Sequence, residues 1–259
     1  MAEAQDHLAL ALALADAAGA AARRHWFAGG SVGTKADGSA LTEADLAIER
    51  DWRDAIARAC PDHGILGEEF GAEATGRSHV WVLDPIDGTR QFGCGLANWA
   101  TLIALCRDGV PVLGVIDMPL AGARFVGAAE GSTLNGRPIR CQSAATLTGA
   151  RMALANPASF DAATRPGHDA LLRLAGLTVF DGGSPAIGAL ARGLADLCLY
   201  GPDLDAFDIC ALVPVVTGAG GRISDWQGGD LGLSSAGAVL ASGHPALHDA
   251  ALAVLKGVR

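Results

Sequence analysis

The stretch Val80-Trp81-Val82-Leu83-Asp84-Pro85-Ile86-Asp87-Gly88-Thr89 decides how the chain is read. Its four leading apolar residues predict a short buried strand. Two carboxylates follow, separated by Pro85 and Ile86. Pro85 lacks an N–H and fixes its own φ, so the strand is not expected to run straight past it. The turn brings Asp84 and Asp87 onto one space at the strand's carboxyl end. Gly88 permits a tight backbone and the close approach of a ligand. Thr89 opens a helical turn whose free N–H groups face the same space. Carboxylates opposite free amides predict a metal ion and a phosphate held side by side. A lone pair of aspartates in a turn would read as solvated acids. Here Glu68-Glu69, just after Ile65-Leu66, and Asp208, just after Phe207, add two more acidic clusters and favour the metal.

Composition sets the frame. The chain has 259 residues, half of them hydrophobic, enough for a sizeable core. The net charge of −9 argues against nucleic acid and anionic membranes as partners. A phosphorylated substrate is still allowed, because bound cations invert the local charge. The six cysteines include no CxxC pair and no spacing that reads as a zinc site. They are read as reduced thiols in a cytoplasmic protein. His25, His63, His168, His244 and His248 show no ligand spacing. No apolar stretch is long enough to span a bilayer.

In chain order, an amphipathic helix is predicted from about Ala4 to Trp26, stopped by Gly29-Gly30. Ser31 to Lys35 reads as extended and Asp37-Gly38 as a turn. Thr42 is a good N-cap, with Asp45 in the third helical position to complete a capping box. Pro61 closes that helix, and His63 to Leu66 is a strand that delivers Glu68. Trp99 to Cys106 and Val112 to Ile116 form a hairpin about Asp108-Gly109. Arg124 to Ala128 adds a strand and Asn135-Gly136 another turn. Residues 1–150 therefore read as helices on an antiparallel sheet. Residues 151–259 alternate strand and helix, with a helix expected over Ala206 to Gly218.

Asp84-Pro85-Ile86-Asp87-Gly88-Thr89 resembles the signature of the inositol monophosphatase family of magnesium-dependent, lithium-sensitive phosphatases. Lys35 with Asp37-Gly38-Ser39, then Thr42-Glu43-Ala44-Asp45, resembles its N-terminal motif. Gly67-Glu68-Glu69 and Phe207-Asp208 with Gly218-Ala219-Gly220-Gly221 resemble two more. Four motifs in the right order cover nearly the whole chain. The resemblance implies an α+β fold, a layered α-β-α-β-α sandwich, with the site between its halves. It implies Mg²⁺, two or three ions per site, inhibition by Li⁺, and a homodimer acting on a small phosphorylated substrate. Glu68, Asp84, Asp87, Asp208 and the Ile86 carbonyl match the metal ligands. Glu68 and Thr89 match the groups that orient the attacking water, with Asp45 behind Thr89. The amides of Gly88 and Thr89 are expected to cradle the phosphate.

Within the family the chain is most similar to bacterial histidinol-phosphatases, through stretches such as Asp62 to Gly71 and Gly114 to Pro119. An inositol or other sugar phosphate is the alternative substrate. A non-catalytic relative is disfavoured, because no metal ligand is missing. One departure matters: the family's usual glutamate, seven positions before the last metal aspartate, is Gly201 here. Asp203 or Asp205 is expected to supply the missing charge. Gly183 and Ser184, along with Asp87 and Asp208, are the other expected substrate contacts.

Overall fold

The computed structural model describes residues 2–29, 32–34, 40–142 and 146–257. Lys35 and the Asp37-Gly38 turn lie outside the described residues. Helix α1 covers Ala2–Ala28, strands β1 and β2 cover Val32–Thr34 and Ala40–Thr42, and helix α2 covers Glu43–Ala59. Strands β3 (Gly64–Gly67), β4 (Gly71–Glu73) and β5 (His79–Asp87) lead into the short helix α3 (Thr89–Gly93). Then come β6 (Ala100–Arg107), β7 (Val110–Met118), β8 (Ala123–Ala128), β9 (Gly131–Leu134) and β10 (Arg137–Ile139). The remainder runs β11 (Arg151–Leu154), α4 (Arg165–Leu174), β12 (Leu177–Phe180), α5 (Gly183–Ala191) and β13 (Leu197–Leu199). It ends with α6 (Ala206–Ile209), α7 (Leu212–Gly218), β14 (Arg222–Asp225), β15 (Val239–Ser242) and α8 (Pro245–Gly257).

These elements stack in five layers. An eight-stranded sheet has the order β10-β9-β8-β7-β6-β5-β3-β4, and a five-stranded sheet the order β12-β11-β13-β15-β14. Helices α1 and α2 cover the outer face of the large sheet, α5 and α7 fill the space between sheets, and α4 and α8 cover the small sheet. This is the expected α-β-α-β-α sandwich. Strand β5 shows why its run is unbroken apolar: Trp81 and Leu83 pack toward α1 and α2, while Val80 and Val82 pack into the middle layer. A strand buried on both faces has no polar side to alternate with. Each such side chain contributes about 1.5–3 kcal/mol of burial.

Three departures from the sequence reading bear on the site. Strand β5 does continue to Asp87, but through a bulge: Asp84 faces Leu102 and Asp87 faces Ala100 on β6. A bulge is where a strand tolerates proline, and the extra residue re-aims the flanking carboxylates. The large sheet is not wholly antiparallel, because β3 pairs parallel to β5. That pairing brings the carboxyl ends of both strands, and so Glu68, Asp84 and Asp87, to one edge. The helix expected over 206–218 is broken at Cys210 and Ala211. Pro214 explains the break, since its ring would clash with the carbonyl four residues earlier, at Cys210. The two predicted hairpin turns have positive φ at both central residues, Asp108-Gly109 and Asn135-Gly136, as two-residue loops require.

Candidate active site

Three carboxylates meet where β5 and α6 end and begin. Oxygens of Asp84, Asp87 and Asp208 lie within 4.8 Å of one another. Asp84 is 1% exposed. Its carboxyl is held well above the usual range, first by burial and then by the charges of Glu68, Asp87 and Asp208. Asp208 is pushed up by burial and then by Asp87, against the Asp205 amide that stabilises its charge. Asp87 is raised by burial, opposed by two hydrogen bonds from Ser184. A cleft of about 490 Å³ opens above them, and Glu68, Ile86, Gly88 and Thr89 also line it. Carboxylates buried this closely together hold their charge far more easily beside a bound cation. An all-oxygen donor set beside an open cleft fits Mg²⁺, which takes few carboxylates and keeps several waters.

The next residues start helix α3. Gly88 has φ +89° and caps α3. A side chain there would be strained, so glycine is what lets the strand pass straight into the helix. The first amides of α3 have no intrahelical acceptors and face the cleft end of the helix. The Thr89 hydroxyl donates to the Ile86 carbonyl at 3.0 Å. Asp45 is fully buried, and its Oδ2 accepts from the Thr42 amide at 2.7 Å and the Thr42 hydroxyl at 2.6 Å. The capping box read from the sequence is therefore present. Asp208 repeats the device, its Oδ2 accepting the Asp205 amide at 2.8 Å. In both cases one carboxylate oxygen holds a helix start.

The profile of the inositol monophosphatase family matches residues 3–258. The chain belongs to the inositol monophosphatase family. Its members are phosphoric monoester hydrolases, so the chain is an enzyme of that class. It is 37% identical to a histidinol-phosphatase of Mycobacterium tuberculosis over 236 residues, covering 86% of this chain and 88% of that one. It is 36% identical over 219 residues to a bifunctional chloroplastic phosphatase of Arabidopsis thaliana, and spans 63% of that protein's length and 83% of its own. The solved structure of an inositol monophosphatase from Zymomonas mobilis superposes with a TM-score of 0.89 at 36% identity, covering 97% of this chain and 98% of that one.

At the position of the family's usual glutamate, Gly201 leaves no room for a side chain. A Cβ there would lie 2.5 Å from the Ser159 carbonyl. Asp203 lines the cleft, whereas Asp205 is not among its lining residues and gives its amide to Asp208. Gly183 lines the cleft, and the Tyr200 hydroxyl donates to its carbonyl at 2.9 Å. Ser184 gives its amide (3.1 Å) and its hydroxyl to Asp87 Oδ2. Its amide therefore serves the Asp87 carboxylate rather than open space.

Sequence reading missed three groups. Asp181 lines the cleft, and its carboxylate accepts from Asn156, another lining residue, at 2.9 Å. Nothing in the spacing links positions 156 and 181; adjacent strands β11 and β12 do. Glu49 lies beneath the Glu68 loop and accepts the amides of Glu69 (2.7 Å) and Phe70 (3.2 Å). A signal for Glu49 was available. Asp45, Ile48, Glu49, Trp52 and Ile56 form one helical stripe, all buried, so two acids sit on the apolar face.

Proposed function

We propose that this protein hydrolyses L-histidinol phosphate to L-histidinol and phosphate, a step of histidine biosynthesis, with Mg²⁺ in the carboxylate cluster. The observation that carries the reading is the pairing of two features in one cleft. The cleft is lined by Glu68, Asp84, Asp87 and Asp208 with the start of α3, and also by the acids Asp203 and Asp181 with the apolar Leu96, Ala153 and Leu154. A phosphate suits the first set, and an ammonium with an imidazole suits the second. Kinship with the histidinol-phosphatases supports the same choice.

Glu68, Asp84, Asp87, Asp208 and the Ile86 carbonyl are assigned to hold two or three ions, with Li⁺ as a competitor. Bound Mg²⁺ would supply charge neutralisation on the phosphate and a lowered pKa for the attacking water. The amides of Gly88 and Thr89 hold the phosphate oxygens in line for attack. Glu68 and Thr89 orient the water. With its proton given to the Ile86 carbonyl, the Thr89 hydroxyl keeps its lone pairs for a proton of that water. Asp45 supports Thr89 from behind by fixing the start of α2. We read residues 1–150 as the half that carries metal and phosphate, and 151–259 as the half that carries the substrate loop. The working form is a cytoplasmic homodimer. Among the described residues no helix is long and apolar enough to cross a membrane.

The test of the second set is Asp203→Asn. A charge-assisted contact contributes about 1.5–3 kcal/mol, so kcat/KM for histidinol phosphate should drop about ten- to a hundredfold. The value for inositol-1-phosphate should stay within a factor of about two. An equal drop on both substrates would remove Asp203 from ammonium recognition.

A further inference from the structure

Among the described residues, two clusters bring three potential metal ligands within 4.8 Å of one another. One is Asp84, Asp87 and Asp208. The other is His7, Cys60 and His63, which plays no part in the phosphatase site. We propose that His7, Cys60 and His63 form a second metal site, selective for a borderline-soft ion of the Zn²⁺ class.

The three donors come from three segments. His7 lies on α1, Cys60 caps the end of α2, and His63 immediately precedes β3. Sequence spacing shows only the Cys60-x-x-His63 half, because the third ligand arrives from the N-terminal helix. The cluster sits at the starting ends of the parallel strands β3 and β5, whereas the phosphatase carboxylates sit at their finishing ends. Five residue steps along β5 lead from His79, beside the cluster, to Asp84, on the order of 17 Å. The two sites are therefore separate in space as well as in chemistry.

The donor set decides the ion. Two imidazoles and a thiolate suit Zn²⁺ and not Mg²⁺ or Ca²⁺, which take oxygen. A tetrahedral ion with bonds of about 2.0–2.3 Å needs donors roughly 3.4–3.7 Å apart. The free site is thus close to closed and tightens onto an ion. Cys60 and His63 are half-buried and His7 is 9% exposed, which leaves an entry path and a fourth position for water.

The surroundings favour the ligating form of the imidazoles, while burial and then Glu3 push the Cys60 thiol up, so the ion itself must displace that proton. The rings of His63 and His79 stack at 4.8 Å with 15° between planes, and His7 lies 5.0 Å from His63 and 5.5 Å from His79. Burial, and then the crowding of the imidazoles, favours neutral rings at His7 and His63, the state that binds metal. Trp81 Nε1 donates to His63 Nδ1 at 3.1 Å, so in the free protein the His63 proton is on Nε2. An ion on Nδ1 displaces the indole. An ion on Nε2 needs the other tautomer, which cannot accept from it. Either way binding frees the Trp81 N–H, and the Cys60 thiol loses its proton to solvent. The ion would fasten α1 to the end of α2 and to the large sheet.

The experiment uses the full-length, thiol-reduced protein with Mg²⁺ in excess, and Co²⁺ as a spectroscopic stand-in for Zn²⁺. Expected is a near-ultraviolet thiolate-to-cobalt band that saturates at one ion and disappears on adding Zn²⁺. It should be absent in Cys60→Ser and about tenfold weaker in affinity in His7→Gln. Zn²⁺ should also protect Cys60 from alkylation and change Trp81 fluorescence, while His7→Gln keeps its Mg²⁺-dependent phosphatase activity. The protection and the His7→Gln data decide the matter should Cys60→Ser not fold. No band, or a band that persists in Cys60→Ser and so arises from Cys94 in the cleft, overturns the proposal. So does unprotected alkylation of Cys60.

Discussion

Asp87 Oδ2 accepts both the amide and the hydroxyl of Ser184, so a carboxylate of the large sheet is held by the start of a helix between the sheets. These bonds stabilise the charged form of an otherwise buried acid. Removing the hydroxyl in Ser184→Ala takes away a hydrogen bond to a charged group, about 1.5–3 kcal/mol. The Mg²⁺ concentration for half-maximal activity should rise about tenfold or more, with little change in melting temperature at saturating Mg²⁺. An unchanged Mg²⁺ requirement would mean that Ser184 does not hold the metal-binding form of Asp87.

The burial of Asp84, Asp87 and Asp208, and then the negative charges around them, predicts an unusual stability profile. Their folded-state pKa values are raised above the ordinary 3.8. Between that value and the raised ones the folded state binds more protons than the unfolded state, so stability falls as pH rises. The metal-free protein should therefore lose stability from these groups as pH climbs from about 4 toward neutrality. Mg²⁺ should restore it. Asp84→Asn should raise the metal-free melting temperature at neutral pH, by roughly 2–4 °C per kcal/mol relieved, and abolish activity. A lower melting temperature in Asp84→Asn would contradict a strained cluster.

His248 works in the opposite direction. It is fully buried between Ser224 (2.8 Å) and Ser242 (3.1 Å). Burial, followed by the Arg222 charge, pushes its pKa down from 6.5 to about 4. The unfolded state binds the proton first, so this term is fully present above pH 6.5 and is lost as pH falls toward 4. The loss amounts to about 3 kcal/mol. In Mg²⁺-saturated protein, where the carboxylates are neutralised, His248→Gln should flatten the stability profile between these pH values. An identical profile in the variant would assign the acid limb elsewhere.

Glu49 supports the loop that presents Glu68. Its side chain is buried and pairs with Arg53 at 2.8 Å while accepting the two loop amides. Glu49→Ala leaves the two loop amides without their acceptor, while Arg53 keeps the Gly71 carbonyl and Glu73, a loss of about 1–3 kcal/mol in stability. Glu49→Gln keeps one acceptor and should fold, with kcat reduced more than substrate binding. Full kcat in Glu49→Gln would confine Glu49 to a structural part.

Most of the site's chemistry was legible because it lies in short continuous motifs. Asp84 to Thr89 combines strand, bulge, turn and helix start within six residues, and the Thr42–Asp45 capping box is local as well. What was illegible depends on tertiary pairing. The parallel placement of β3 beside β5 explains why Glu68 joins Asp84, and no periodicity in either strand reveals it. Strand β4, three residues beginning at Gly71, and strand β14, four residues after Gly220-Gly221, give too few alternating residues to register. Asp203 and Asp205 look alike in sequence; the start of α6, which ties the Asp205 amide to Asp208, separates them. The bond from Ser184 to Asp87 joins elements on different layers and has no local signature.

The central claim is tested most directly by phosphate release from L-histidinol phosphate and from inositol-1-phosphate, each with Mg²⁺ and with excess chelator. Expected is turnover of histidinol phosphate that needs Mg²⁺, with kcat/KM at least about tenfold above that for inositol-1-phosphate. Preference for inositol-1-phosphate would contradict the substrate assignment, and undiminished turnover in chelator would contradict the metal-dependent mechanism.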